Sequence, residues 1–290
     1  MKKLVLLLFL ISTAAFAQQK PLKIFISVDM EGIGGIGTSK MTSSSGKDYS
    51  VGRQLMTDEI NAVVSAIYEF APAEILVNDS HGDMQNLLHR QLHPDVQYLQ
   101  SNIKPLGMVQ GLDASYDAVI FIGYHTRAGT KDGFLAHTGS GSVKGLWING
   151  TEVGEGGLNA HYAGAMGVPV ILASGDKAFA EQIQEIIEVR TVSTKEAIGS
   201  SAAKLIHPNK VKAMLIKETL AALKDLSYAK PLSVKEPTTL RMKFSSTTRA
   251  DIVMSIPEMK RIDGFTIEYT AKSMDSAYRI IRVLYKYISW

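Results

Sequence analysis

Three short apolar runs in the first half of this 290-residue chain stop at side chains that bind metal ions, and that recurrence narrows the folds open to it. Leu22 to Val28 ends at Asp29 and Glu31, Ile75-Leu76-Val77 ends at Asn78-Asp79-Ser80-His81, and Ala118 to Ile122 ends at Gly123-Tyr124-His125. Runs this short, rich in β-branched and aromatic residues and not alternating with polar ones, read as strands buried on both faces of a parallel sheet. Between the first two, Leu55, Met56, Ile60, Val63, Val64 and Ile67 recur at helical spacing within Tyr49 to Phe70. The fold class expected is therefore α/β, a mostly parallel sheet flanked by helices. In open sheets of this kind ligands bind beyond the carboxyl ends of the strands. Asp29, Glu31, His81 and His125 then face one region, and Asp29 and Glu31, two residues apart on an extended segment, point to the same side.

The loop after the first strand, Gly32-Ile33-Gly34-Gly35-Ile36-Gly37, fits neither of the glycine spacings that cradle phosphates, which argues against a nucleotide site. Past His125, Asn149-Gly150 is a hairpin signal between Leu146-Trp147-Ile148 and Thr151-Glu152-Val153. A helix of small residues is expected from Leu158, a buried strand over Val168 to Ala173 and a helix over Lys177 to Val189. Beyond Thr191 helices are expected over Ser193 to Ile206 and Asn209 to Leu226, then a proline-punctuated linker from Lys230 to Pro237. A smaller C-terminal α+β unit follows, with strands at Thr239 to Phe244 and Gly264 to Tyr269 and helices at Thr248 to Ser255 and Ser273 to Ser289. Beyond the linker the chain contains no histidine, and the unit reads as structural or oligomer-forming. The expected division is a catalytic domain over 18–190 and the smaller unit over 191–290.

Residues 1–17 stand apart. Lys2 and Lys3 precede the apolar run Leu4 to Ile11, and Ala15-Phe16-Ala17 has the small-x-small form of a cleavage site, so the segment reads as a secretory signal cut after Ala17. The apolar run is shorter than the roughly 20 residues needed to cross a bilayer. The expectation is a periplasmic or secreted protein with no membrane contact after cleavage. Without Lys2 and Lys3, the 31 basic residues become 29 against 28 acidic ones, a balance that points to no nucleic-acid partner. The chain has no cysteine, so any metal is held by His, Asp and Glu, a donor set that favours zinc or manganese.

Five oxygen and nitrogen donors, Asp29, Glu31, His81, His125 and a glutamate flanked by glycines, Glu155, exceed the three that a catalytic zinc with an open position takes. They suit two ions sharing a carboxylate, which lower the pKa of a water and polarise a carbonyl or phosphoryl oxygen, so hydrolysis is the reaction expected. Spacing leaves Glu155 open between a ligand and the first residue of a helix, where its charge is favoured anyway. His137 reads as a loop residue by spacing, and Asp79 as a partner orienting a ligand imidazole. These residues leave three classes standing: a peptidase, a binuclear phosphoesterase, and an exported metal- or solute-binding protein without activity.

The segments Ser27-Val28-Asp29-Met30-Glu31-Gly32, Val77-Asn78-Asp79-Ser80-His81, Gly123-Tyr124-His125-Thr126-Arg127-Ala128 and Val153-Gly154-Glu155-Gly156-Gly157-Leu158-Asn159-Ala160, in this order, resemble the DppA-type D-aminopeptidases, bacterial binuclear-zinc peptidases. The resemblance implies two Zn2+ per subunit on Asp29, Glu31, His81, His125 and Glu155, with Asp29 bridging, and a catalytic role for His137. It implies a short peptide substrate of D-amino acids losing its N-terminal residue, and the export signal adds the expectation that the target is D-Ala peptides released from peptidoglycan. It also implies a homo-oligomer, the family's own assemblies being ring-like decamers. Two features depart from the family: its Gly-Ile-Ser-Gly is here Gly-Ile-Gly-Gly, and its typical member has no export signal.

Overall fold

The computed structural model describes residues 20–287; the expected signal peptide lies outside them. In chain order the elements are β1 (Leu22–Val28), α1 (Tyr49–Phe70), β2 (Ala73–Asp79), β3 (Gln97–Leu99), β4 (Ala118–Tyr124), β5 (Val143–Ile148) and β6 (Thr151–Glu152). They continue with α2 (Glu155–Ala165), β7 (Val170–Asp176), α3 (Lys177–Gln184), β8 (Arg190–Gly199), β9 (Ala202–Leu205) and α4 (Pro208–Lys224). The last are β10 (Thr238–Phe244), α5 (Thr247–Val253), β11 (Lys260–Arg261), β12 (Thr266–Ala271) and α6 (Met274–Tyr287).

Strand order in the larger, seven-stranded sheet is β3-β2-β1-β4-β7-β8-β9, parallel except for the final β8–β9 pair. The chain builds outward from β1 to β2 and β3, then returns to place β4 on the other side of β1. That reversal opens a crevice between the carboxyl ends of β1 and β4, where such sheets bind ligands. Alternation along β1 assigns its two faces. Ile24, Ile26 and Val28 pack under α1 and α4 with Ile60, Val64 and Val211, while Phe25 joins the core on the opposite face with Phe121, Tyr124 and Leu158. Burying both faces explains why the strands carry continuous apolar runs.

The smaller, antiparallel sheet has the order β11-β12-β10-β5-β6. Its β5–β6 hairpin turns at Asn149-Gly150, both with positive φ, as the Asn-Gly signal requires. Helix α6 lies over β10 and β12 and also touches α2, so its buried residues Met274, Ala277, Tyr278 and Ile281 belong to the same core as Phe121.

Two expectations are corrected. The segment Ser193 to Ile206 is the β8–β9 hairpin and not a helix. Its Thr191-Val192-Ser193-Thr194 stretch is dominated by β-branched residues, which are stiff at χ1 and pack well on a pleated sheet, and Val192 and Thr194 alternate into the core beside β7. The division at residue 190 also fails, because β8, β9 and α4 complete the first sheet and its helical layer, whereas β5 and β6, from the first half of the chain, pair with β10. The second unit is assembled from two distant stretches, one of which runs directly into the site.

Candidate metal centre

The loop that carries Asp29 and Glu31 is clamped to the end of β4. The Asp29 amide donates to Ile122 O (2.8 Å) and the Gly32 amide to Gly123 O (2.7 Å). A Cβ on residue 32 would collide with the Tyr124 and Gly123 backbone, so this approach admits only glycine. Lys195, fully buried, donates to the carbonyls of Glu31, Ile33 and Ile36, and Thr194 Oγ1 to that of Gly32. The other side of the crevice is set by Asp79, whose carboxylate accepts from the amides of Asn86 (2.6 Å) and Leu87 (2.8 Å) and from Asn86 Nδ2 (2.7 Å). Asp79 therefore does not orient an imidazole, as expected from sequence; it fixes the turn whose Asn86 Nδ2 also holds His81 O (2.8 Å).

All six residues singled out by sequence meet in two groups. In one, His81 Nδ1 lies 3.2 Å from Asp29 Oδ1 and 3.0 Å from Glu31 Oε2. In the other, His125 Nε2 lies 3.4 Å from Asp29 Oδ2 and 3.6 Å from Glu155 Oε2, and His137 Nε2 lies 3.6 Å from Glu155 Oε1. Within each group, Asp29–Glu31–His81 and His125–His137–Glu155, one donor atom per residue lies within 4.8 Å of every other. Asp29 faces both, with one oxygen towards each histidine. Glu155 is the first residue of α2 and also reaches the cluster, so both roles left open by spacing hold at once.

Each imidazole has one nitrogen against a backbone carbonyl: His81 Nε2 on Thr42 O (2.8 Å), His125 Nδ1 on Thr126 O (2.9 Å) and His137 Nδ1 on Leu135 O (2.9 Å). The nitrogen facing the carbonyl carries the proton, and the other is turned to the carboxylates, which is how ligand histidines are oriented. Asp29 Oδ2 and His125 Nε2 are buried with no hydrogen-bond partner. Unpaired polar atoms in such a place are costly, and a cation between them relieves both. Two nearly parallel rings, His125 and His137, stack with centroids 4.0 Å apart.

Without a cation the cluster balances itself with protons. Burial disfavours the charge on His81, but Glu31 and Asp29 against it hold its pKa well above the usual imidazole value; burial and Glu155 act in the same opposed way on His125, with the same upward result. Burial pushes against ionisation of Glu31 and Glu155, yet the facing imidazoles hold Glu31 well below the carboxylate range and Glu155 at about 2. Asp29 goes the other way, up to about 6, because burial and the Glu31 charge together outweigh its bond to His81. Among the described residues no lysine or arginine pairs with Asp29, Glu31 or Glu155.

A cavity of about 150 Å3 opens over the cluster, lined on one side by Asp29, His81, His137 and Glu155 and on the other by α6. The His137 side chain is 34% exposed, against 1% for His125, so His137 is the imidazole available to a molecule in the cavity. The remaining histidines stay outside both groups: His161 is tied to Gly157 O within α2, His207 caps α4, and His93 stacks on Tyr68. Sequence reasoning missed two contributors. Lys195 was legible only as a lysine in a β-branched run. The α6 side chains Tyr278, Arg282, Tyr285 and Lys286 share one helical face by their spacing, but a cationic helix face more often meets solvent than a cavity.

The D-aminopeptidase (M55 peptidase) family model matches residues 22–283. The chain is 36% identical over 265 residues to a D-aminopeptidase of Bacillus subtilis (strain 168), covering 91% of this chain and 96% of the relative. Among solved structures it superposes on the Zn-dependent D-aminopeptidase DppA from Bacillus subtilis, described as a self-compartmentalizing protease. That match has a TM-score of 0.90 at 35% identity and covers 92% of this chain and 98% of the other.

Proposed function

This chain belongs to the D-aminopeptidase family and is a metallo-aminopeptidase, and we propose that it removes the N-terminal residue from short D-amino-acid peptides, D-Ala peptides foremost, at a centre where Asp29 would be shared by two zinc ions. The observation that carries this reading is Asp29 set between two donor groups, one oxygen towards His81 and the other towards His125. Asp29, Glu31 and His81 would hold one ion, and His125 and Glu155, with Asp29 facing them, the other. Bound there, zinc supplies an acidified water as nucleophile and polarises the scissile carbonyl.

The chain's own groups do the rest. His137, exposed to the cavity and held by Leu135 O, takes a proton from the attacking water at Nε2 and passes it to the leaving amine. Lys195 and Gly32 keep the Asp29–Glu31 segment from relaxing away from β4, so the donors are preorganised. The Lys2–Ala17 segment supports export to the periplasm or medium, where D-Ala peptides released from peptidoglycan are at hand. The self-compartmentalizing relative supports a homo-oligomer, a decamer in our reading.

The test is zinc content measured together with release of D- and L-alanine from matched di- and tripeptides, with a phosphate ester as control. Two zincs per chain and D-Ala release are expected. One zinc, or hydrolysis of the ester in preference to the peptides, overturns the proposal. An exported protein recovered with Gln18 at its N-terminus supports the cleavage site, and scattering of the purified protein reads the oligomer.

A further inference from the structure

The side of the cavity opposite the carboxylates is cationic. Arg282 and Lys286 stand one turn apart on α6, both lining the cavity with Asp29, His81 and Glu155. Arg282 is fixed in place. Its guanidinium packs against Gly107, which has a positive φ and where a Cβ would strike the guanidinium carbon and Nε. On its N-terminal side, Tyr278 anchors the helix by donating to Asn159 Oδ1 (2.7 Å); on its C-terminal side, the Tyr285 ring packs against Gly139, whose amide holds Glu155 Oε1 (2.6 Å). Yet Arg282 Nε and Nη2 are buried with no hydrogen-bond partner, and no carboxylate pairs with the side chain among the described residues. Other buried cations here are satisfied: Lys195 has three carbonyl acceptors, and Lys104 has Asn78 Oδ1 and Asp79 O. A guanidinium held rigid, partly desolvated and unpaired in a cavity is a receptor for a carboxylate, whose two oxygens match its fork.

We propose that Arg282, assisted by Lys286, binds the free C-terminal carboxylate of the peptide and thereby restricts the enzyme to very short substrates. The inference rests on the aminopeptidase reading of the metal centre. In the loaded enzyme the metal centre takes up one end of the cavity, where the scissile amide must lie, and Arg282 and Lys286 stand at the other, where a short peptide ends in a carboxylate. Two extended residues span about 7 Å, so a dipeptide presents its carboxylate one residue beyond the scissile carbonyl, whereas a long chain has no charge to place on Arg282. Arg282 is thus a specificity-determining residue, remote from the reacting atoms.

The test uses the zinc-loaded full-length enzyme, wild type and Arg282→Gln, with Arg282→Lys as the variant that keeps the charge. Zinc content and circular dichroism confirm that each is folded and loaded. D-Ala-D-Ala is compared with D-Ala-D-alaninamide as substrate, and non-hydrolysable reduced-amide analogues of the same pair are compared for binding by calorimetry. The wild type is expected to favour the free acid roughly 10- to 100-fold in kcat/KM and in Kd, the range for a charge-assisted hydrogen-bonded pair. Arg282→Gln loses that preference by weakening the acid while leaving the amide unchanged, and Arg282→Lys retains part of it. Equal binding of acid and amide by the wild type, or an undiminished preference in Arg282→Gln, overturns the inference. If neither peptide is hydrolysed, the aminopeptidase reading fails, and the calorimetric pair still decides the carboxylate site.

Discussion

Loading the metal-free protein with zinc at pH 7 should release about two protons per chain. In the metal-free cluster the pKa values of His81 and His125 are raised well above the ordinary imidazole value, so both are protonated at neutral pH, facing carboxylates that are ionised. A metal ion takes the imidazole lone pair and expels the proton, so His81 loses one to the first site and His125 one to the second. The sign follows: lowering pH adds competitor protons and weakens zinc binding. Each displaced proton costs about 1.4 kcal/mol per pH unit, so each site loses about tenfold in affinity per unit and the pair about a hundredfold. Below about pH 6 Asp29 also takes up a proton, and because it faces both sites the combined dependence steepens towards three protons.

Calorimetric zinc titrations of the chelator-treated protein in two pH 7 buffers of different ionisation enthalpy count the protons directly. His81→Gln should lower the count by about one, with the remaining site still binding. Release of less than one proton from a folded, metal-free wild type would refute the reasoning, because the imidazoles would then be neutral and the carboxylates balanced by something else.

Three further outcomes follow from the geometry. His137→Ala should keep wild-type zinc content while kcat falls on the order of 10^2- to 10^4-fold, whereas His81→Ala loses zinc as well; equal zinc loss in both would make His137 a ligand. Lys195→Met strands three carbonyls in the Glu31–Ile36 loop and should destabilise the metal-free protein by about 3 kcal/mol or more, read as a lower urea midpoint, and weaken zinc binding too. Tyr124→Phe removes the hydroxyl that bonds Ser27 Oγ (2.6 Å) and Asn159 Nδ2 (2.8 Å) beneath the cluster; a loss of about 1–3 kcal/mol is expected, at about 2–4 °C of melting temperature per kcal/mol.

What could be read in the sequence was what the sheet makes periodic. Asp29, Glu31, His81 and His125 follow apolar runs that leave little choice but buried parallel strands, and the carboxyl ends of such strands converge. Glu155 begins a helix reached only after the β5–β6 hairpin has left the first sheet and come back, a path no local pattern encodes. His137 lies between β4 and β5, and its place is set by Leu135 O and by stacking on His125, neither of which has a sequence period. At β8 the cause is the opposite: the β-branched run at Thr191 to Thr194 is a local strand signal, and it starts just before the stretch from Ser193 that reads as helix. Arg282 and Lys286 could not be assigned because the pattern of α6 shows which residues share a face, and only the second sheet, packed on the first, shows that this face closes a cavity.

That arrangement also explains how three carboxylates can be gathered in a buried site. The buried lysines beside the cluster, Lys195 and Lys104, spend their donors on backbone carbonyls and an asparagine amide oxygen, and neither bonds to the carboxylates of Asp29, Glu31 or Glu155. An ammonium ion-paired to those carboxylates would neutralise them and bar a metal from the same oxygens. Instead the lysines stabilise the loops that carry the donors, while the charge of the donors is left to groups that can exchange, protons in the metal-free protein and metal ions in the loaded one. The basic side chains are thus separated from the metal site by role: Lys195 and Lys104 shape the crevice, Arg282 and Lys286 stand across the cavity for the substrate, and the space between Asp29, His81, His125 and Glu155 is kept for the metal.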